Sequence, residues 1–333
     1  MSNCRQSSNP NPGPSMEHLD SEINSFLKSS MACNTWKTYN SAIKSFDKFR
    51  QIYKLPDIWP VPFQDIVRYI LVAHLSHAKT SASTVATYIS GLSHIHKLNG
   101  FDDPTKSFFV SKILEGFKRK NPGSKELRMP VSSALLKLLI NSLPHVHVCK
   151  SSYEASMFAS VFSLAFFAMF RVDEFAVDKK CDSGMHVVRL RNVIQKRNSL
   201  NEELHIKIRS SKTDQGSNST TLVIYKQLDI AVCPLKLMNL YLNKRLSLSA
   251  DICKTDDTQL YIHFDGTLLT RYQFSSVLQK CLQFCEVPGH FRPHSFRIGG
   301  ATEAKRRGVD DDVIKQWGHW SSSAHFRYIR PLI

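Results

Sequence analysis

The sequence predicts a mainly α chain of two domains, an all-helical unit followed by a mixed α/β unit with a small antiparallel sheet. Three observations predict it. Two segments near the start carry apolar residues at helical period. A basic stretch with Pro, Gly and Ser and no apolar period interrupts the chain near residue 125. Beyond it, three short strand-like runs stand between helical patterns. A length of 333 residues suits two domains of ordinary size better than one core.

Met1 to Met16 is polar, with Asn, Pro and Ser, and lacks the apolar region of a secretory signal, so residues 1–20 read as a disordered tail. In "TWKTYNSAIKSFDKFRQIYK" the apolar face is Trp36, Tyr39, Ile43, Phe46, Phe49 and Tyr53, while Lys37, Lys44 and Lys48 fall on another face. A helix is expected over 63–77. The next has Ser83 as N-cap, the stripe Val85, Ile89, Leu92 and Ile95, and Gly100 past its end. One more over 105–119 completes a helical domain, 21–120, followed by a linker at 121–130 within "KRKNPGSKELRMP". The second domain, 131–333, opens with helices over 131–143 and 152–170. Its apolar run Met157 to Phe170 falls short of the roughly 20 residues that span a bilayer and reads as a buried helix. Strands follow in "HVVRLRNV", "ELHIKIRSS" and "TTLVIYK", with "KTDQGSNS" as the turn between the last two. The helical pattern returns from Pro234. A helix containing His294 and Arg297 ends at Gly308, and a short one with Asp310, Asp311 and Asp312 in its first turn ends at Gly318. The last segment, "SSSAHFRYIRP", has a Ser cap and a stopping Pro331.

Hydrophobic content of 42% and charged content of 22% are those of a globular protein. The net charge of +16 is not ordinary. Residues 1–128 hold 17 basic and 10 acidic side chains and the remainder 27 and 18, so both halves are basic. That balance suits a polyanionic partner gripped from two sides, a nucleic acid before a membrane, since no basic amphipathic membrane helix or lipidation signal is evident. Lys37, Lys44, Lys48, Lys118, Arg119 and Lys120 are the candidate phosphate contacts of the first domain, against the plain alternative of a solvated face. Eight cysteines without a CxxC pair fit reduced thiols in an intracellular protein. "FKRK" and "AKRRG" read as nucleic-acid contacts more simply than as nuclear import signals. Cys281, Cys285, His290 and His294 stand in C-x3-C-x4-H-x3-H order, a poor match to structural zinc spacing, and "HVHVC" with His145, His147 and Cys149 is weaker still. No metal site is expected.

Breaking a phosphodiester without metal needs charge neutralisation at the phosphate, a nucleophile and a proton donor for the leaving oxygen. Arginine suits the first task, because its fork meets two phosphate oxygens and keeps its proton. Arg171 follows the apolar run "FFAMF", with Glu174 one turn on to orient it or simply to pair with it. Lys212 lies in the turn "SSKTDQG". His294 and Arg297, three apart, share one helix face. His319 lies in "QWGHWSS" between two tryptophans, and Tyr328 follows nine residues later. Taken singly, each residue has a structural explanation.

In this order and spacing the set resembles the tyrosine recombinase (phage integrase) family, from about Thr35 to the end of the chain. "HSFRIGGAT", "GHW" and "YIRP" resemble that family's boxes closely, and the flavour is similar to recombinases of eukaryotic mobile elements such as Cryptons. The resemblance implies a helical core-binding domain and a catalytic domain closing as a clamp on double-stranded DNA, without cofactor. It implies that Tyr328 attacks the scissile phosphate to leave a 3′-phosphotyrosine and a free 5′-hydroxyl. Arg171, Arg297 and His319 then hold the non-bridging oxygens, Lys212 protonates the departing oxygen, and His294 helps deprotonate a phenol whose ordinary pKa is about 10. Recombination or integration by a tetramer on two DNA sites is implied, nuclear if the source is eukaryotic. The alternatives are a type IB topoisomerase and a non-catalytic DNA-binding protein of recombinase descent. Five residues follow Tyr328, so the C-terminal helix that many members dock into a neighbour is expected to be missing or minimal.

Overall fold

Helix α1 (Met16–Ser29) opens the described structure, capped by Ser15, whose hydroxyl accepts from the His18 amide at 3.2 Å. The computed structural model describes residues 13–75, 80–122, 128–146, 151–179, 184, 186–197, 202–208, 220–248, 257–320 and 322–330. The reading of residues 1–20 as a tail is therefore corrected from Met16 onward. Met16, Leu19, Ile23 and Phe26 repeat at helical spacing and form an exposed apolar stripe on a helix that buries nothing.

The chain divides into two units, Met1–Lys125 and Glu126–Ile333. In the first, α1 is followed by α2 (Cys33–Ile52), α3 (Phe63–Leu75), α4 (Ala82–Leu98) and α5 (Phe108–Lys120), with a 3-10 turn at Pro104–Lys106. Phe46 and Phe49 of α2, Ile66 and Tyr69 of α3, Val85, Ile89 and Leu92 of α4, and Val110 and Phe117 of α5 make its core. α2 and α4 approach closely because Gly91 faces Ala42: a Cβ at Gly91 would lie 2.9 Å from that of Ala42. His96, fully buried, accepts from the Val61 amide through Nε2 at 3.0 Å and bonds the Leu92 carbonyl through Nδ1 at 2.8 Å. The N-cap of α4 is Ser81, bonded to the Thr84 amide, two residues before the expected Ser83.

The second unit comprises α6 (Ser133–Ser142), α7 (Ser152–Phe167), α8 (Val172–Phe175), β1 (Val193–Arg197), β2 (Glu202–Ile208), β3 (Thr220–Tyr225), α9 (Pro234–Leu246), α10 (Arg271–Phe284), α11 (His294–Arg306) and α12 (Asp311–Trp317). A 3-10 turn at Ser323–Arg327 leads to Tyr328. The antiparallel sheet runs β1-β2-β3, with Val193 opposite Ile206 and Leu204 opposite Ile224. Leu204, Ile206, Ile208, Leu222 and Ile224 point inward from alternate positions. α7 is apolar nearly all round and is the buried axis of the unit, as such a pattern requires.

Two expected boundaries shift. "HVVRLRNV" is not the first strand: the Asn192 side chain accepts from the Arg189 amide at 3.1 Å and turns Leu190–Asn192 into a 3-10 helix, so β1 begins at Val193. α7 stops at Phe167 rather than 170, since Met169 takes a left-handed φ of 50° and its carbonyl accepts from the Arg297 guanidinium. α11 then packs directly on backbone. A Cβ at Gly299 would come 1.9 Å from the Val131 carbonyl oxygen, and one at Gly300 2.2 Å from that of Phe166. Only glycine allows that approach. Among the described residues no helix is long and apolar enough to cross a membrane.

Candidate active site

The site of the second unit assembles where three pieces of chain end: the turn after α7, the first turn of α11, and the segment after α12. α11 carries His294 half-buried and Arg297 fully buried one turn later. The Arg297 guanidinium donates to the carbonyls of Met169 and, at 2.6 Å, of Gly318. Its remaining Nε has no partner among the described residues. Above it lie the indole of Trp320, 4.1 Å from Cζ to ring centroid, and the phenol ring of Tyr328 at 5.4 Å. Burial and the neighbouring Arg171 charge push the Arg297 pKa down to about 10, against the pull of Glu174 and Tyr328, so the group stays cationic at neutral pH.

Arg171 caps α8. Its backbone N–H donates to Glu174 Oε2 at 2.8 Å and its Nη1 to Oε1 at 3.1 Å. The same Oε1 meets His319 Nε2 at 2.7 Å, with both side chains only 5% exposed. Burial opposes charging Glu174, but the His319 hydrogen bond and the charges of His319, Arg171 and Arg297 outweigh it and hold the carboxyl below the usual carboxylate range. Two guanidinium groups thus face one carboxylate, a balance that leaves room for an anion. His319 has a left-handed φ of 43°, and its buried Nδ1 has no partner among the described residues.

Tyr328 lies half-buried between two rings, His294 at 4.9 Å and Trp320 at 5.0 Å between centroids. Its backbone is pinned from α11: Thr302 Oγ1 donates to the Tyr328 carbonyl at 3.2 Å and accepts from the Arg330 amide at 3.1 Å. Arg171, Glu174, His294, Arg297, His319 and Tyr328 therefore share one small volume although 157 positions separate the first and last in sequence. Lys212 lies outside the described residues.

Sequence reasoning missed Trp320, Gly318, Met169 and Thr302. Trp320 folds back over Gly318, where a Cβ would meet the indole at 1.8 Å, so "GHW" specifies a glycine for a close approach and an indole that fills it. Thr302 is legible only as the last letter of "IGGAT".

Lys37, Lys44 and Lys48 are exposed along α2, and Lys118, Arg119 and Lys120 are exposed in the last turn of α5. Of the zinc-like set, Cys281 is fully buried in the core, His290 is exposed and the His294 ring lies against that of Tyr328, inclined by 54°. Among the described residues no three His, Cys, Asp or Glu side chains converge as a metal site. His145 stacks on Phe284 at 5.9 Å, while His147 and Cys149 lie outside the described residues.

No family model matches the sequence, and a search of curated proteins finds no relative. Solved structures do match. The XerH site-specific recombinase bound to a palindromic difH substrate, in a post-cleavage complex, is similar over 89% of this chain and 76% of its own, with a TM-score of 0.61 at 15% identity. The Tn1549 transposon integrase in complex with transposon right-end DNA matches over 95% of both chains, with a TM-score of 0.59 at 13% identity. A lambda integrase dimer bound to a COC′ core site matches over 94% of this chain and 76% of its own, at 0.55 and 14%. The chain has the tyrosine recombinase fold.

Proposed function

We propose that this chain cuts and rejoins double-stranded DNA through a 3′-phosphotyrosine on Tyr328, in site-specific recombination or in integration of a mobile element. The observation that carries the reading is the meeting of two guanidinium groups, Arg171 and Arg297, with the Tyr328 ring beside the second of them. A scissile phosphate fits that charge balance. The phenol oxygen attacks phosphorus, its proton passes toward His294, and the bond to the 5′ oxygen breaks as Lys212 protonates that oxygen. The two arginines hold the non-bridging oxygens as charge builds. His319 has Nε2 committed to Glu174, so the buried Nδ1 is the atom left for the phosphate, and it donates there when the ring is an imidazolium. Rejoining is the reverse. The phosphotyrosine keeps the energy of the broken bond, so neither ATP nor a metal is needed.

The exposed lysines of α2 and the basic end of α5 supply sequence-independent phosphate contacts in the first unit. Strand exchange between two DNA sites calls for four copies. The experiment is covalent capture: the purified chain is incubated with a pool of nicked duplexes of random sequence, denatured in detergent, and any DNA that stays on the protein is sequenced. Recovered DNA enriched in a common site supports the reading. DNA that binds before denaturation but never remains attached overturns it in favour of a binding protein.

A further inference from the structure

We infer that Trp320 is a positioning residue, holding the Tyr328 ring and the Arg297 guanidinium in a fixed relation; the inference rests on the cleavage reading above. The indole is 7% exposed and belongs to the small core of Met169, Ala301, Ala304 and Ile314 against which Tyr328 packs. One contact is the Arg297 guanidinium, 4.1 Å from the ring centroid. Another is Tyr328, 5.0 Å away with the rings inclined by 53°. A third is His325, at 6.1 Å, whose carbonyl accepts the Tyr328 amide at 2.8 Å. Trp320 therefore touches both ends of the turn that presents the phenol, and the cation beside it. The ring fills the space that a side chain at Gly318 would take, a Cβ there falling 1.8 Å from the indole.

An apolar plug of equal bulk would not do the same. The negative face of an aromatic ring attracts a guanidinium, most strongly for indole and when both are out of water. Among the described residues Arg297 donates to the Met169 and Gly318 carbonyls and forms no hydrogen bond with a carboxylate, so the ring face supplies part of what fixes its plane. A misplacement of about 1 Å between an attacking group and the group that stabilises its target costs on the order of a hundredfold in rate.

Trp320→Leu removes the ring face and Trp320→Phe keeps a weaker one; Trp320→Met stands in should the Leu chain not fold. The first readout is the single-turnover rate of adduct formation on a captured nicked duplex, with DNA affinity measured alongside. The second needs no turnover: the ¹⁹F resonance of 3-fluorotyrosine placed at position 328 in the DNA-free chain. The Leu chain loses about tenfold or more in rate, with DNA affinity unchanged, and its fluorine resonance moves toward that of the free amino acid. The Phe chain recovers most of the rate and of the shift. A Leu chain with wild-type rate, or with an unmoved resonance, overturns the inference. If the unsubstituted chain binds DNA without ever forming an adduct while the resonance still separates Leu from Phe, the cleavage reading fails and the packing role of Trp320 stands.

Discussion

Glu174 joins the two halves of the site, because its Oε1 receives both Arg171 and His319. Glu174→Ala leaves the half-buried Arg171 guanidinium and the buried His319 imidazole without their shared acceptor. Removing one partner of a fully buried charged pair costs about 3–5 kcal/mol, so the loss at this partly exposed pair is about 2–3 kcal/mol. Urea unfolding of the two chains at neutral pH measures it. Glu174→Gln keeps the shape and one acceptor, so it costs less. The pH dependence carries its own sign. The folded-state pKa of Glu174 lies below the unfolded value, so its contribution is present above the ordinary carboxylate range, near pH 4, and is lost as pH falls through the folded value. Stability of the unsubstituted chain therefore falls more steeply on acidification than that of Glu174→Gln. Equal acid slopes would show that Glu174 carries no special charge.

At the scale of elements, the seating of α11 on the end of α7 and on Val131, just ahead of α6, fixes where His294, Arg297 and Thr302 stand. The two glycines of "IGGAT" permit it, with added Cβ atoms placed 1.9 and 2.2 Å from backbone carbonyl oxygens that have no flexible end to yield. Gly299→Ala and Gly300→Ala should each destabilise the chain by about 1–3 kcal/mol, the usual range for overpacking, or more if the helix cannot lift. They should also depress DNA cleavage beyond that loss. Thermal unfolding and the adduct rate at a temperature where each variant is folded check both parts. A Gly300→Ala chain with unaltered stability would mean that α11 does not rest on the Phe166 carbonyl.

For the whole molecule, the arrangement brings Arg297 and Tyr328 of one chain to each other, with Thr302 tying the tyrosine turn to the helix that carries the arginine. Attack is therefore expected within one copy, and a mixture of Arg297→Ala and Tyr328→Phe chains should form no adduct; adduct from the mixture would show a tyrosine lent between copies. Much of this was legible in the sequence. Apolar period marks α2 and α4, each with one face to bury, and an unbroken apolar run marks α7 as a buried helix. Arg171, His294, Arg297, His319 and Tyr328 are ordinary one by one and stand out only in their order and spacing. What was not legible depends on partners far along the chain. Nothing near Met169 announces that α7 ends at Phe167, since the group that takes its carbonyl is Arg297, 128 residues on. A tryptophan in apolar company reads as core, so the role of Trp320 needed the ring's neighbours. The turn at Leu190–Asn192 is a local exception, where two hydrogen bonds between Asn192 and Arg189, one from each backbone N–H, outweigh the strand-like pattern around them. The measurement that bears most directly on the account is the mass of the peptide left attached to DNA after capture on nicked duplex and exhaustive nuclease digestion. The account predicts a phosphotyrosine at Tyr328, absent from the Tyr328→Phe chain. A covalent link at any other residue, or an adduct that persists in Tyr328→Phe, would contradict it.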